Sequence, residues 1–314
     1  MHRINTLRRL ALAGMLLALC VVVFGAYVRL TDAGLGCPDW PFCYGKPLPT
    51  QIAHPDALAK AWKEMGHRYL AGTLGVLILA LCVLAWRKRR SRGLATALVL
   101  VVLLQAALGM WTVTLLLKPA IVTAHLIGGM ATLSLLLWLA LSESSHASDT
   151  SVRALRALAA ATLAVVGVQV ILGGWVSANY AALACPDLPL CRGTLIPEMD
   201  FANAFHIVRE LGQTAQGELL TNEALTAIHW THRVFALVAL TMVFVTATRA
   251  RRVLPRLSGA LALVVLAQFA LGVSNVLFGL PLPLAAAHNA GAALLIATLV
   301  VINFFAFRGL RPSE

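Results

Sequence analysis

Long apolar runs dominate the pattern of hydrophobic and polar positions along this chain. They extend over about 17 to 25 residues with almost no charge, which is the length that a helix needs to cross roughly 30 Å of hydrocarbon. Eight such runs predict transmembrane helices at roughly 10–28, 67–86, 94–116, 121–141, 157–178, 227–248, 257–277 and 284–307. The sequence therefore predicts an all-α integral membrane protein.

The charge is distributed unevenly between the two faces that these helices define. The net charge of +12 would suggest nucleic acid as the partner of a soluble protein. However, 16 of the 25 Lys and Arg lie in the two terminal segments and in the connections between spans 2 and 3, 4 and 5, and 6 and 7. With the acidic residues included, this face carries +13 and the opposite face −1. The positive-inside rule then places both termini in the cytoplasm. With no organelle presequence, a bacterial inner membrane is favoured, and nucleic-acid binding is not expected.

The chain contains an internal repeat. The motif CPDWPFC at 37–43 recurs as CPDLPLC at 185–191, and in each copy a glycine precedes the first cysteine by twelve residues. Downstream, "QAALGMWTV" corresponds to "QFALGVSNV". Each repeat holds four spans, so we predict two tandem four-helix bundles, residues 1–145 and 146–314, related by a pseudo-twofold axis along the membrane normal.

Four histidines are predicted to lie at one depth: His67, His125, His232 and His288. Each is expected to open an outside-to-inside helix, about 24 to 29 Å from its inner end at 1.5 Å per residue. Ionisable groups within membrane helices are costly and usually mark a functional site. Two imidazoles from one bundle suit axial ligation of a haem iron, whereas zinc usually needs a third or fourth ligand. Haem is favoured, and copper is the second alternative.

Charged residues near these histidines have two interpretations each. Arg29, Arg68 and Arg233 either reach towards the membrane surface or pair with haem propionates. Glu64 lies three residues before His67, whereas the second repeat has His229 at that position. A carboxylate near a helix start is often only a favourable dipole contact. Beside a haem site, a carboxylate in one half suggests that one pocket performs chemistry and the other holds a permanent cofactor.

The two cysteine pairs are predicted to lie outside, where thiols oxidise. Each pair, Cys37 with Cys43 and Cys185 with Cys191, closes a short loop that contains two prolines. A structural disulfide that stabilises the fold by roughly 2 kcal/mol is one interpretation. A redox or covalent role for Cys37 and Cys43 is the other, because their loop leads towards the half that contains Glu64.

The combined motifs resemble the haem A synthase family over essentially the whole chain. The residues that carry this resemblance are "GAYVRLTDAGLGCPDWPFC", "EMGHR", "TAHLIGG", "IHWTHR" and "AAAHNAGA". The resemblance implies an oxidoreductase that oxidises the C8 methyl of haem O to a formyl group, with water as the oxygen source. It also implies a role in haem A biosynthesis for terminal oxidases and contacts with haem O synthase and oxidase assembly factors. It is compatible with a homo-oligomer.

Carried over by position, the resemblance implies roles for individual residues. His67 and His125 would hold the substrate haem O, Glu64 would assist at the reacting carbon, and His232 and His288 would ligate haem b. Two other classes stay open. A di-haem b-type electron-transfer subunit needs the histidines but no reactive carboxylate. A haem transporter fits the repeat, although no Gly/Pro-broken helix pair lies at the predicted midplane.

Overall fold

A computed structural model describes residues 6–50, 52 and 54–312, and the chain ends at 1–5 and 313–314 lie outside this range. The helices are α1 (Thr6–Leu30), α2 (Pro55–Arg87), α3 (Arg92–Thr114), α4 (Pro119–Ser142), α5 (Arg156–Ala178), the short α6 (Phe201–Ala204), α7 (Asn222–Ala250), α8 (Pro255–Leu277) and α9 (Leu282–Arg308). Short 3-10 helices lie at Thr150–Leu155 and Ala181–Leu183, and two short strands are β1 (His146–Ser148) and β2 (Leu310–Pro312). Among the described residues, eight helices are long and apolar enough to cross a membrane, which confirms the predicted all-α integral membrane class.

The helix bounds differ from the predicted spans mainly at the ends that carry the cysteine loops. Helix α2 begins at Pro55 and α7 begins at Asn222, twelve and five residues before the apolar runs that predicted them. Helical hydrogen bonding continues there through polar sequence, and Pro55 suits a first helical position because it needs no amide donor. All four histidines, His67, His125, His232 and His288, lie inside their helices, six to twelve residues after the first helical residue, rather than opening them, which corrects that expectation.

The eight long helices pack as two sets of four. Helices α1–α4 surround one hydrophobic core, and α5, α7, α8 and α9 surround a second. Between the sets, α1 contacts α9, α4 contacts α5, and α4 contacts α9. Helix α9 lies at this junction, and 56% of the residues in its apolar stretch are buried. In the repeat, α1 corresponds to α5 and α4 corresponds to α9, so exchanging counterparts leaves this set of contacts unchanged, as a pseudo-twofold relation requires. The axis itself and the division at residue 145 stay predictions.

The ends of the two sets are tied together outside the long helices. The antiparallel pair β1–β2 joins the connection between the sets to the residues that follow α9. At the opposite end, the long segment between α5 and α7 folds over the second set. Its Arg209 is 4% exposed and donates to Asn179 at 2.6 Å, and burial lowers the pKa of this arginine. Lys118 and Glu210 form an ion pair of 2.7 Å between the first set and this segment.

Candidate haem-binding site

The four predicted histidines line one large cavity. Its volume is about 1770 Å³, and its walls come from both sets of helices. Cavities that hold a single small ligand are typically about 300–1,000 Å³, so this one has room for more than one such group. From each histidine to the C-terminal end of its helix is 17 to 20 residues, which places the four rings at similar depth.

His67 and His125 face each other in the first set. Their ring centroids are 6.4 Å apart and their planes are inclined by 81°. Metal–imidazole bonds of about 2 Å on each side of one ion would place two ring centres roughly 6 Å apart, so this pair fits axial ligation of one iron. Buried Nδ1 atoms of His67, His125 and His288 have no hydrogen-bond partner among the described residues.

His232 and His288 occupy the counterpart positions in the second set, and both line the cavity. Among the described residues, no three His, Cys, Asp or Glu side chains come together as a metal-binding group. The close pair of His67 and His125 would suit a porphyrin iron, because the macrocycle would supply the remaining ligands.

Each of the four histidine rings packs against a glycine on a neighbouring helix. A Cβ added to Gly25 would lie only 2.8 Å from Cε1 of His67. The other three pairs behave similarly, with added Cβ atoms 3.3 Å (Gly109, His125), 3.0 Å (Gly173, His232) and 3.1 Å (Gly272, His288) from Cε1. Sequence reasoning missed these glycines, although their equivalent positions in the two repeats were a usable signal.

If His232 ligates a haem iron, replacing Gly173 with alanine should weaken haem binding in the second set. The new methyl group would displace the His232 ring, and disturbing the support of a metal ligand typically costs about 10-fold or more in affinity. The measurement is the haem content of the purified variant. Gly167→Ala is the matched control, because no atom lies within 4 Å of its Cβ position on the same helix. Equal haem loss in both variants would contradict a specific role for Gly173.

Glu64 is held by the first cysteine loop at the wall of the cavity. Its side chain lines the cavity, and the residue as a whole is 5% exposed. The backbone N–H of Cys37 donates to Oε2 at 2.8 Å, and Arg68 forms an ion pair with Oε1. Arg68 also donates to the carbonyl of Phe42 at 2.7 Å. The carboxylate is thus fixed by the loop on one side and faces the candidate site on the other.

The second set builds the same scaffold with different chemistry. His229 replaces the carboxylate: the Cys185 N–H lies 3.3 Å from its Nδ1, and Arg233 Nε lies 3.2 Å from its Nε2. Arg233 also donates to the carbonyl of Asp187 at 2.8 Å. A neutral imidazole accepts at only one nitrogen, so the two donors compete. The two pockets therefore differ by a carboxyl group, which the first has at Glu64 and the second lacks at His229.

Both cysteine pairs form disulfides, as one interpretation of the sequence requires. The four sulfur-bearing residues, Cys37, Cys43, Cys185 and Cys191, are at most 2% exposed. The carboxylate of Asp187 accepts from the backbone N–H groups of Arg192 and Gly193, and the Gly193 amide above all holds the pKa of Asp187 below its usual value. The disulfides brace the loops that contact Glu64 and His229.

Arg29 connects the two sets. Its guanidinium donates to the carbonyl of Ser177 at 2.9 Å and lies 3.8 Å from the ring centre of Tyr180. Tyr180 in turn donates to Asp32 at 2.8 Å, and these two residues are counterparts in the repeat. Arg29, Arg68 and Arg233 all line the cavity while bonding to backbone carbonyls. Their contact with haem propionates stays a prediction.

Comparisons with known proteins agree with this geometry. Residues 8–300 match the family model COX15-CtaA, described as a cytochrome oxidase assembly protein. The chain belongs to the COX15-CtaA family. It is 44% identical over 305 residues to a heme A synthase of Shewanella oneidensis, covering 91% of this chain and 92% of that protein. A heme A synthase of Caulobacter vibrioides is 31% identical over 332 residues, covering 93% and 92%. Membership and the eight apolar helices make this a multi-pass membrane protein.

Proposed function

We propose that this chain is a haem A synthase, an oxidoreductase that converts the C8 methyl group of haem O to a formyl group. Its role in haem A biosynthesis is supported by the family match and by the names of its relatives. The single observation that carries the finer proposal is the position of Glu64. It stands on the cavity wall three residues before His67, whereas the second set has His229 there.

The reaction defines what the first pocket must do. Oxidation of a methyl to a formyl group, with oxygen from water, releases four electrons and four protons, and an oxidant outside this chain must accept the electrons. His67 and His125 hold the substrate iron, and thereby fix the porphyrin edge relative to Glu64. The Glu64 carboxylate stabilises positive charge that develops at the methyl carbon, or accepts a proton from the attacking water. Its bonds to Cys37 and Arg68 fix it in place before reaction.

The second pocket is proposed to hold the resident cofactor. His232 and His288 would ligate haem b, which supplies one-electron redox chemistry when bound. The absence of a carboxylate at His229 is consistent with a pocket that performs no methyl oxidation. The proposed topology places both termini in the cytoplasm and both cysteine loops in the periplasm, on the basis of the charge distribution.

The decisive experiment is expression in a host that makes haem O but no haem A, followed by chromatography of the extracted haems. We expect haem A or a partly oxidised haem O only when this chain is present. A di-haem b-type electron-transfer subunit is the rival function, since the four histidines alone would satisfy it. Recovery of haem b alone from this host would support that rival and overturn the proposal.

We propose that the Cys37–Cys43 disulfide supports Glu64 by ordering the loop whose Cys37 amide contacts it. Replacing both cysteines with serine should lower stability by roughly 2 kcal/mol and reduce haem A formation, because the Cys37 amide no longer holds the carboxylate. The Cys185→Ser/Cys191→Ser variant is the control, with a similar stability loss and little effect on the reaction. Thermal unfolding and product chromatography measure both.

A redox or covalent role for Cys37 and Cys43 predicts a different result. Haem A formation would then stop in the Cys37→Ser/Cys43→Ser variant even at temperatures where the protein is fully folded. Under the supporting role, product formation in that variant should instead recover as temperature is lowered and the loop becomes ordered. Formation at the unaltered rate at all temperatures would contradict both roles.

A further inference from the structure

The gap between the second and third long helices of each set differs in the size of its side chains. Three positions in the cavity wall hold small residues in the first set and bulky residues in the second. Aligned by the histidines and glutamines of the repeat, the pairs are Gly72 with Leu237, Gly75 with Leu240, and Ala106 with Phe269. All six line the cavity. Each leucine has four side-chain carbons that glycine lacks, and Phe269 has six more than Ala106, so the first set leaves more room here.

The gap between α2 and α3 is open. A Cβ atom added to Gly72 or to Gly75 would meet no atom within 4 Å. Val76 on α2 and Leu103 on α3 are both exposed, and both also line the cavity. The cavity of the first set therefore continues between these two helices to the surface that faces lipid.

This gap lies deeper in the membrane than the histidine pair. Gly72 and Gly75 follow His67 by five and eight residues on α2, which is about 8 and 12 Å along the helix axis. The side chains of Val76 and Leu103 give the gap an apolar lining. It therefore suits an apolar chain attached to a group that His67 holds, because such a chain gains by leaving water and has no polar atoms to satisfy.

Haem O and haem b differ by a chain of this kind, since haem O carries a hydroxyethylfarnesyl group where haem b carries a vinyl group. The proposed function assigns haem O to the first pocket and haem b to the second, and this inference rests on it. We propose that the gap between α2 and α3 receives the farnesyl chain of haem O. Leu237, Leu240 and Phe269 occupy the corresponding gap between α7 and α8 and exclude that chain from the second pocket.

The first test gives the gap of the first set the side chains of the second. Gly72→Leu/Gly75→Leu should fold, because both added side chains enter open space and leucine is the better helix former. Gly93→Leu/Gly259→Leu is the matched control, since these two glycines also have no atom within 4 Å of the Cβ position and do not line the cavity. The full-length proteins are purified from a host that makes haem b but no haem O. Absorbance titrations with haem O and with haem b then measure the affinity of the first pocket for each.

Gly72→Leu/Gly75→Leu should bind haem O about 10-fold or more weakly than the wild type, because even one methylene in excess costs an apolar pocket about that factor. Its affinity for haem b should be unchanged, since His67 and His125 are unaltered. The control should match the wild type for both haems. Equal haem O affinity in the variant and the wild type would overturn the inference, and a lipid chain would then be the occupant of the gap. An equal loss of affinity for both haems would also overturn it, because the leucines would then act on the porphyrin.

The second test enlarges the gap of the second set. His67→Ala removes a proposed ligand from the first pocket, so the haem that stays bound reports on the second. In a host that makes haem O, His67→Ala should carry haem b alone, whereas His67→Ala/Leu240→Ala/Phe269→Ala should carry haem O as well. Chromatography of the extracted haems measures the difference. Haem b alone in this triple variant would overturn the role of the bulky side chains, and its haem b absorbance would show that the second set is folded.

The two levels of proposal fail differently. A wild-type protein that carries no haem b, or that yields no oxidised haem O in the haem O-producing host, contradicts the proposed function itself. A wild-type protein that does both, alongside a Gly72→Leu/Gly75→Leu variant with unchanged preference between the two haems, contradicts only the role of the gap.

Discussion

Glu64→Gln should stop haem A formation while leaving haem binding intact. Glutamine keeps the length of the side chain and an acceptor for the Cys37 amide, so the loop contact of 2.8 Å can persist. The negative charge is lost, and with it the stabilisation of a positive carbon or the acceptance of a proton. Such groups typically contribute about 10²- to 10⁴-fold to a rate, so we expect product formation to fall at least 100-fold. Haem chromatography and the absorbance spectrum measure the two effects separately.

Two further variants separate the chemistry of Glu64 from its contacts. Glu64→His copies the second set, where His229 meets the same cysteine amide and arginine, and it should fold but make no haem A. Glu218→Gln is the matched control, since Glu218 is an exposed loop carboxylate. Haem A production at the wild-type rate by Glu64→Gln would show that this carboxylate takes no part in the reaction.

Alanine at His232 and alanine at His67 should both stop haem O oxidation but should differ in haem b content. His232→Ala removes one of two proposed axial ligands of haem b, so the purified protein should lose nearly all of its haem b absorbance and its activity. His67→Ala leaves the second pocket unaltered, so haem b should remain while haem O is no longer oxidised. Absorbance spectra of the reduced proteins and extraction of their haems distinguish the two variants.

His206→Ala is the control for this comparison, because His206 is exposed in the long segment between α5 and α7. It should keep both haem b and activity. Loss of the same haem from His67→Ala and His232→Ala would mean that the two pockets are not separate. Retention of full haem b by His232→Ala would remove the basis for assigning the second pocket to the cofactor.

The sequence predicted the membrane class and the residues that meet in the cavity. Apolar length alone located all eight long helices, because the hydrocarbon thickness sets a minimum run that few soluble segments reach. The histidines were predicted to meet because they recur at one depth in the repeat, and 6.4 Å between the rings of His67 and His125 agrees. The N-terminal ends of α2 and α7 were predicted too late in the chain, since the apolar run begins after the helix does.

The contacts of the arginines were harder to predict. Arg68 and Arg29 were expected either to reach the membrane surface or to meet propionates, yet both bond to backbone carbonyls of other segments. Those carbonyls become available only because the cysteine loop and the end of α5 expose them there. No local sequence pattern specifies such a partner 26 or 148 residues away.

By itself, the sequence determined how many helices cross the membrane, that the chain repeats, and that four imidazoles share one level. These properties depend on run length and spacing along one dimension. The tertiary structure alone decided which glycine faces each ring, that Gln169 reaches His232, and that Cys37 holds Glu64. The physical reason is that such contacts depend on how each helix is rotated about its axis against its neighbours, and that rotation is set by packing of the whole bundle.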